Sequence, residues 1–239
     1  MITTALIAAA GKGTRMLDLA EHIPKHLITI RKRPFLYYLL SHLSKAGIQN
    51  FVLVVGHKKE NMESFARTYG NQFAITLVDQ FERMGTDWYG TALPVLAAEP
   101  ELKNTNFIAV YGDNLYSPRD IKKFTGEHAY TAMGVREVER PERYGVVTID
   151  DNDFVTDLIE KPDNPVSNLI NAGIYTFTPD IFDTVRDVRI SPRGEYELTD
   201  AIKAFTSKRL VKAIFLNDYW VDFGRPEDIK TVSDILDTL

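Results

Sequence analysis

The chain has 239 residues, 44% hydrophobic and 26% charged, with a formal net charge of −5, proportions that suit a globular protein with one sizeable core. The absence of cysteine excludes disulfides, thiolate catalysis and Cys-ligated zinc, and the acidic balance argues against a general nucleic-acid binder. No apolar run is long enough to cross a bilayer and no signal segment opens the chain, so cytoplasmic residence without a membrane partner is expected.

Short apolar, β-branched runs alternate with helical patterns through the first half, the signature of an α/β fold. Strands are predicted over residues 5–10, 51–55, 74–78 and 107–111. Phe35, Leu36, Leu39, Leu40 and Leu43 recur at helical spacing, with Pro34 as the first helical position and Gly47 as the stop. Residues 58–69, 92–98 and 118–124 read as further helices. After about Tyr130 the texture changes. Residues 144–149 and 154–159, separated by Asp150, Asp151, Asn152 and Asp153, predict a β-hairpin. Residues 172–177, 211–216 and 219–221 read as strands, helices start at Pro179 and near Tyr196, and a closing helix covers 226–236. No repeat, low-complexity tract or linker divides the chain, so one domain over 1–239 is expected, with a second lobe inserted or appended.

The first strand runs into Gly11-Lys12-Gly13-Thr14-Arg15, and Pro24-Lys25 follows. Small residues at a strand end let the backbone come close to a ligand, and Gly11 and Gly13 tolerate the turn. Arg15 and Lys25 would neutralise a triphosphate. A Walker loop needs a different spacing, and a dinucleotide fingerprint needs a third glycine where Met16 stands and an acidic residue about 20 positions on. Both fail. Taken alone, the loop is more simply a strand-to-helix turn with surface cations. Asp113, in Gly112-Asp113-Asn114, ends an apolar strand, where ligands of open α/β sheets bind. Asp222 lies in Trp220-Val221-Asp222-Phe223-Gly224 at a second strand-to-helix junction. Two such carboxylates suit Mg²⁺, which takes hard oxygen ligands; either alone reads as a cap or turn residue.

Further along stand Arg140-Pro141-Glu142-Arg143-Tyr144-Gly145, Glu160-Lys161-Pro162, Asn171-Ala172-Gly173-Ile174-Tyr175 and Ser191-Pro192-Arg193-Gly194-Glu195-Tyr196-Glu197. With Gly11 to Arg15, Pro24-Lys25, Gly112-Asp113-Asn114 and the Trp220 run, this ordered set resembles the sugar-1-phosphate nucleotidyltransferase family. The nearest likeness is to glucose-1-phosphate thymidylyltransferases, in a short form with the catalytic domain only and no room for the β-helix acyltransferase domain of some relatives. The tetramer of longer thymidylyltransferases is not carried over, and a homo-oligomer stays open. Two departures touch only the loop's course: residues 17–23 lack the usual Pro and Thr, and His26 stands where a small residue is common.

The resemblance implies a Rossmann-like three-layer α/β/α fold with a mixed, mostly parallel central sheet and a small β-rich sugar-side lobe. Residues 1 to about 130 would bind nucleotide and about 131–239 sugar phosphate. It implies transfer from an NTP (dTTP or UTP favoured) to a sugar 1-phosphate (glucose 1-phosphate favoured), with mannose-1-phosphate guanylyl transfer as the alternative. Arg15, Lys25 and Asp113 would be catalytic, and Asp113 and Asp222 would hold Mg²⁺. Ala8, Ala10, Gly11, Gly13, Thr14, Arg15, Lys25, Gln80, Gly90 and Thr91 would line the nucleotide site. Gln80, read as ending a strand, would pair with a base edge. Gly90 is preferred over Gly85 as the glycine of that pocket, with residues 84–89 as a loop insertion.

On the sugar side the set is Tyr144, Gly145, Glu160, Lys161, Asn171, Gly173 and Arg193. Glu160 would accept from sugar hydroxyls, Lys161 and Arg193 would hold the 1-phosphate, Gly145 and Gly173 would let backbone approach the sugar, and Asn171 can donate and accept. Alone, Glu160-Lys161 is an exposed ion pair of little energetic value. His22 and His26 read as solvated loop residues; Trp88, Tyr89 and Trp220 read as packing residues, Trp220 as a candidate wall of the site. Two rivals fit less well. A glycosyltransferase would need an Asp-x-Asp motif that Gly112-Asp113-Asn114 does not supply, and a non-catalytic nucleotide-binding subunit predicts loss of Arg15, Lys25 or an aspartate.

Overall fold

The computed structural model describes residues 1–11, 16, 19, 21–127 and 130–238. β1 (Thr4–Ala8) is shorter than expected: its last ladder bond is Ala9 N–H to the Val54 carbonyl, after which the chain leaves the sheet. A hairpin of β2 (Thr29–Ile30) and β3 (Arg33–Pro34) follows, closed by Arg31 and Lys32 at φ of 47° and 76°. Pro34 therefore caps α1 (Phe35–Lys45) and does not belong to its first turn. The five apolar residues at helical spacing are all buried, and Gly47 lies past the helix end at φ of 109°.

Next come β4 (Asn50–Val55), α2 (Lys59–Tyr69), β5 (Ala74–Asp79), α3 (Gln80–Met84), α4 (Leu93–Ala97), α5 (Glu99–Leu102) and β6 (Phe107–Tyr111). β7 (Asn114–Tyr116) precedes α6 (Pro118–Lys122), which Ser117 caps by accepting from Asp120 N–H. β8 (Thr131–Glu137) leads to the expected hairpin of β9 (Gly145–Ile149) and β10 (Val155–Glu160). Asp150 closes that hairpin by accepting from Asn152 N–H at 2.9 Å and Phe154 N–H at 3.0 Å, the side-chain mimicry for which Asp is chosen in turns. β11 (Leu169–Phe177), α7 (Ile181–Arg186), α8 (Leu198–Thr206), β12 (Val211–Phe215), β13 (Trp220–Asp222) and α9 (Asp228–Asp237) complete the chain.

The main sheet runs β10-β9-β11-β6-β1-β4-β5, with β8 also on β11 and β12 on β8. β6, β1, β4 and β5 are parallel, and β11 enters antiparallel to β6. Side chains alternate across this sheet, as the two-residue period of a strand requires. Ala5, Ile7, Phe51, Leu53, Ile108 and Val110 join the core beneath α1 and α2. Leu6, Val52, Val54, Phe107 and Ala109 join the core beneath α4, α7 and α8. The result is the expected Rossmann-like α/β/α arrangement, with a mixed, largely parallel sheet and a smaller β-rich lobe. Among the described residues no helix is long and apolar enough to cross a membrane.

Candidate active site

Lys25 opens a short 3₁₀ turn after Pro24 and is 8% exposed. Its ammonium donates to Asp113 Oδ2, while Asn114 Nδ2 donates to Asp113 Oδ1 at 3.0 Å. Burial pushes the Asp113 carboxyl up, but the Lys25 charge and hydrogen bond, with His26 and a backbone hydrogen bond, together outweigh it and hold the group below its ordinary range. A Cβ on Gly112 would lie 2.9 Å from the Ala8 carbonyl and 3.2 Å from His26, so only glycine lets β6 turn this closely past β1. His26 is not the solvated residue expected. It is 2% exposed, and burial, aided by Lys25, drives its pKa down to about 3. His22 is exposed, as expected.

β13 pairs antiparallel with β7, setting Asp222 opposite Asn114, and Phe223 N–H donates to the Asp113 carbonyl at 2.7 Å. This small ribbon brings two aspartates from distant parts of the chain together. They offer oxygen donors only; among the described residues no group of three or more His, Asp or Glu is arranged to hold a metal ion by itself. Ala8 ends β1, Ala10 touches the position where Gly56 lacks a Cβ, and Gly11 is exposed. Gly13, Thr14 and Arg15 lie outside the described residues.

The sugar-side set gathers at the end of the β9–β10 hairpin. Glu160 pairs with Gly145 across the ladder, and a Cβ at Gly145 would come 3.2 Å from Glu160 Oε2. Lys161 stands at φ of 43°, a conformation costly for a side-chain-bearing residue, and its N–H donates to the Tyr144 carbonyl at 3.0 Å. Lys161 Nζ lies 3.7 Å from Glu160 Oε1. Arg193 is surrounded by carboxylates: Glu197 at 3.2 Å, Glu160 at 3.4 Å and Glu195 at 3.7 Å. Glu197 is buried, and burial together with the Glu160 charge raises its pKa although Arg193 opposes this.

Two contacts join these clusters. Tyr144, beside Gly145, meets Trp220 edge to face at 5.7 Å, two residues from Asp222. Tyr111, at the end of β6, has its hydroxyl 3.4 Å from that of Tyr175, which accepts from Asn171 Nδ2 at 2.6 Å. Asn171 Oδ1 in turn accepts from Gly173 N–H at 3.0 Å. Gly173, at φ of 73°, has no room for a Cβ because the Tyr111 ring fills that space. Burial and the Tyr175 hydroxyl raise the pKa of Tyr111 well above the usual value; Thr91 is a hydrogen-bond partner and Glu160 a nearby charge.

Residues 4–238 match the protein family described as nucleotidyl transferase. The chain belongs to that family. A relative from Methanocaldococcus jannaschii named Bifunctional protein GlmU is 41% identical over 94% of this chain, which spans 52% of that relative's length. A Haloferax volcanii relative named UTP--glucose-1-phosphate uridylyltransferase AglF is 36% identical over 94% of this chain and 92% of its own. The crystal structure of a UDP-glucose pyrophosphorylase complexed with UDP-glucose superposes with a TM-score of 0.86 at 24% identity, covering 100% of this chain and 99% of that one, and shows the shared fold.

In this nucleotidyl transferase fold the base side differs from expectation. Gln80 does not end a strand. β5 stops at Asp79, which caps α3 by accepting from Phe81 N–H at 2.9 Å, and Gln80 is the first helical residue, buried with Oε1 lacking a partner among the described residues. Gly85 ends α3 at φ of 82°, whereas Gly90, at φ of 142°, faces the Tyr196 backbone so closely that a Cβ would overlap it. Thr91 Oγ1 accepts from Leu198 N–H at 2.9 Å. Trp88 and Tyr89, read as packing residues, are 44% and 52% exposed, and Trp88 packs by stacking on Tyr196. Trp220 is half-buried against Tyr144. Sequence reasoning assigned no role to Glu197, Tyr111 or Tyr175. A tyrosine at a strand end, like Tyr111, was the available signal.

Proposed function

We propose that the chain transfers a nucleotidyl group from an NTP to a sugar 1-phosphate and releases pyrophosphate. The observation that carries this reading is the β7–β13 ribbon, which sets Asp222 beside Asp113 while Lys25 pairs with Asp113. In the reaction, a phosphate oxygen of the sugar 1-phosphate bonds to the α-phosphorus as the bond to the pyrophosphate bridging oxygen breaks, and that electron pair leaves with pyrophosphate. The attacking oxygen is already anionic, so no proton has to move.

The barrier is then chiefly alignment of two polyanions. Unit charges 4 Å apart repel by about 4 kcal/mol at an effective dielectric near 20, so cations on both substrates lower the dominant cost. Lys25, and Arg15 by its place in the motif, would serve the triphosphate; Lys161 and Arg193 would serve the sugar phosphate. Asp113 and Asp222 would hold Mg²⁺, which when bound supplies further charge neutralisation on the phosphates. The unusual backbone conformation of Lys161 and the three carboxylates around Arg193 support a role for both as positioned cations. Glu160 would accept from sugar hydroxyls, and the unpartnered Gln80 amide oxygen supports a role near the base.

The uridylyltransferase relative favours UTP with glucose 1-phosphate, and dTTP stands as the alternative base. Pyrophosphate release measured with Mg²⁺ for UTP, dTTP and GTP against glucose 1-phosphate and mannose 1-phosphate tests the reading. UTP or dTTP with glucose 1-phosphate should be fastest; no release from any pair would overturn it.

A further inference from the structure

Trp88 is a large aromatic residue left 44% exposed in the loop between α3 and α4. Its ring is stacked on Tyr196, with centroids 5.0 Å apart and planes within 7°. The same loop is laced to the same residue by backbone: Tyr196 N–H donates to the Tyr89 carbonyl at 2.9 Å, and Ala92 N–H donates to the Tyr196 carbonyl at 3.0 Å. Tyr196 is the return leg of a tight loop. It bridges antiparallel to Ile190, and the turn between is closed by Ser191 N–H to Glu195 and Gly194 N–H to Ser191, both at 2.8 Å. Arg193 sits at the tip of that turn.

We propose that Trp88 is a positioning residue for the sugar-phosphate half: it clamps the loop of residues 190–197 against the nucleotide half and so fixes Arg193. The inference rests on the reading of Arg193 as a phosphate contact, but the contact that carries it is the stacking of Trp88 on Tyr196, through which Trp88 acts on the loop. Backbone bonds at an exposed loop fray unless side chains shield them, and a stacked aromatic pair supplies both shielding and attraction. The exposed residue thereby acquires a reason that core packing does not give it.

Limited trypsin digestion of the folded protein reads the loop directly, because Arg193–Gly194 is itself a tryptic bond. Trp88→Ala should be cut there about three- to tenfold faster, the factor expected for one lost stacking contact, with other sites unchanged. Trp88→Phe, which can still stack, should be cut at the wild-type rate. The KM for glucose 1-phosphate should rise by a similar factor in Trp88→Ala, while the KM for UTP stays within about twofold. Unchanged cleavage at 193–194, equal acceleration at every site, or an unchanged sugar-phosphate KM would each overturn the proposal. Cleavage decides the clamp even in a protein that turns over no sugar phosphate, whereas silence of the wild type in the pyrophosphate assay falls on the proposed function alone.

Discussion

Asp222 lies directly across the β7–β13 ladder from Asn114, whose amide donates to Asp113 at 3.0 Å. The second carboxylate is thus placed by backbone pairing, far along the chain from the turn between β6 and β7 that carries the first. Removing one negative charge without changing shape should therefore disable chemistry and spare the fold. Asp113→Asn and Asp222→Asn are each expected to lower pyrophosphate release by about 10²-fold or more. Circular dichroism and Tm should stay close to wild type for Asp222→Asn. Turnover near the wild-type rate in either variant would remove the pair from the site.

Lys25 and Asp113 form a largely buried ion pair, and such pairs respond asymmetrically to substitution. Lys25→Ala leaves the carboxylate without its cation, at a cost of roughly 3 kcal/mol near neutral pH. The carboxyl should then titrate higher than in the wild type, because the largest opposition to its burial is gone. Adding Asp113→Asn to Lys25→Ala should recover much of the lost stability and none of the activity. Urea unfolding of the three variants, read as a double-mutant cycle, checks the coupling. Additive losses would show that the two side chains do not depend on each other.

Much of this arrangement was legible in the sequence because it is local. The strand runs around Leu6, Leu53 and Ile108, the heptad-like spacing of Phe35 to Leu43, and the Asp-rich turn of the β9–β10 hairpin are each decided within a few residues. The anionic pair was legible for the same reason, since Asp113 and Asp222 both follow apolar strand runs. What the sequence hid was set by tertiary partners. β7 is three residues long and exists because β13 pairs with it. His26 looks like a loop residue, yet the turn after Pro24 tucks it behind Gly112. Gln80 carries no mark of whether the strand before it has ended; the capping bonds of Asp79 decide that. Trp88 is the kind of residue that fills cores, yet it stays 44% exposed because it stacks on the outer side of Tyr196, itself packed at the edge of the core.

His26 and His42 are both about 2% exposed and both held neutral, with pKa values near 3 and 4 respectively, chiefly by burial. Each folded-state pKa is below the ordinary 6.5. Between those values the unfolded chain binds a proton that the native protein does not. Stability is therefore complete above about pH 6.5 and falls as pH drops toward 4, by up to about 1.4 kcal/mol per pH unit for each histidine. His26 Nδ1 has no hydrogen-bond partner among the described residues, whereas His42 Nδ1 donates to the Tyr116 carbonyl at 2.9 Å. His26→Leu should accordingly flatten the acid limb by one proton with little loss at pH 7. Urea unfolding from pH 7 to 4.5 measures the slope, and an unaltered slope in His26→Leu would show that this imidazole titrates normally.

Gly85 and Gly90 both stand at positive φ, yet they should respond differently to a methyl group. At Gly85, φ is 82° and an added Cβ meets nothing within 4 Å. Alanine there meets no clash but must adopt φ of 82° with ψ of 172°, a region essentially confined to glycine, at a cost of about 2 kcal/mol, or a fall in Tm of about 6 °C for a chain of this size. At Gly90, φ is 142° and the Cβ would overlap the backbone of Tyr196. That backbone cannot yield cheaply, since Tyr196 bonds to Tyr89 and Ala92 on one side and bridges to Ile190 on the other. Gly90→Ala should cost roughly 3 kcal/mol, lower Tm by about 10 °C, and raise the KM for glucose 1-phosphate by displacing the leg that carries Arg193. Differential scanning calorimetry of the two variants, with sugar-phosphate kinetics on each, separates them. Equal losses at both positions would mean that Gly90 serves only its own turn and not the approach of the sugar-side loop.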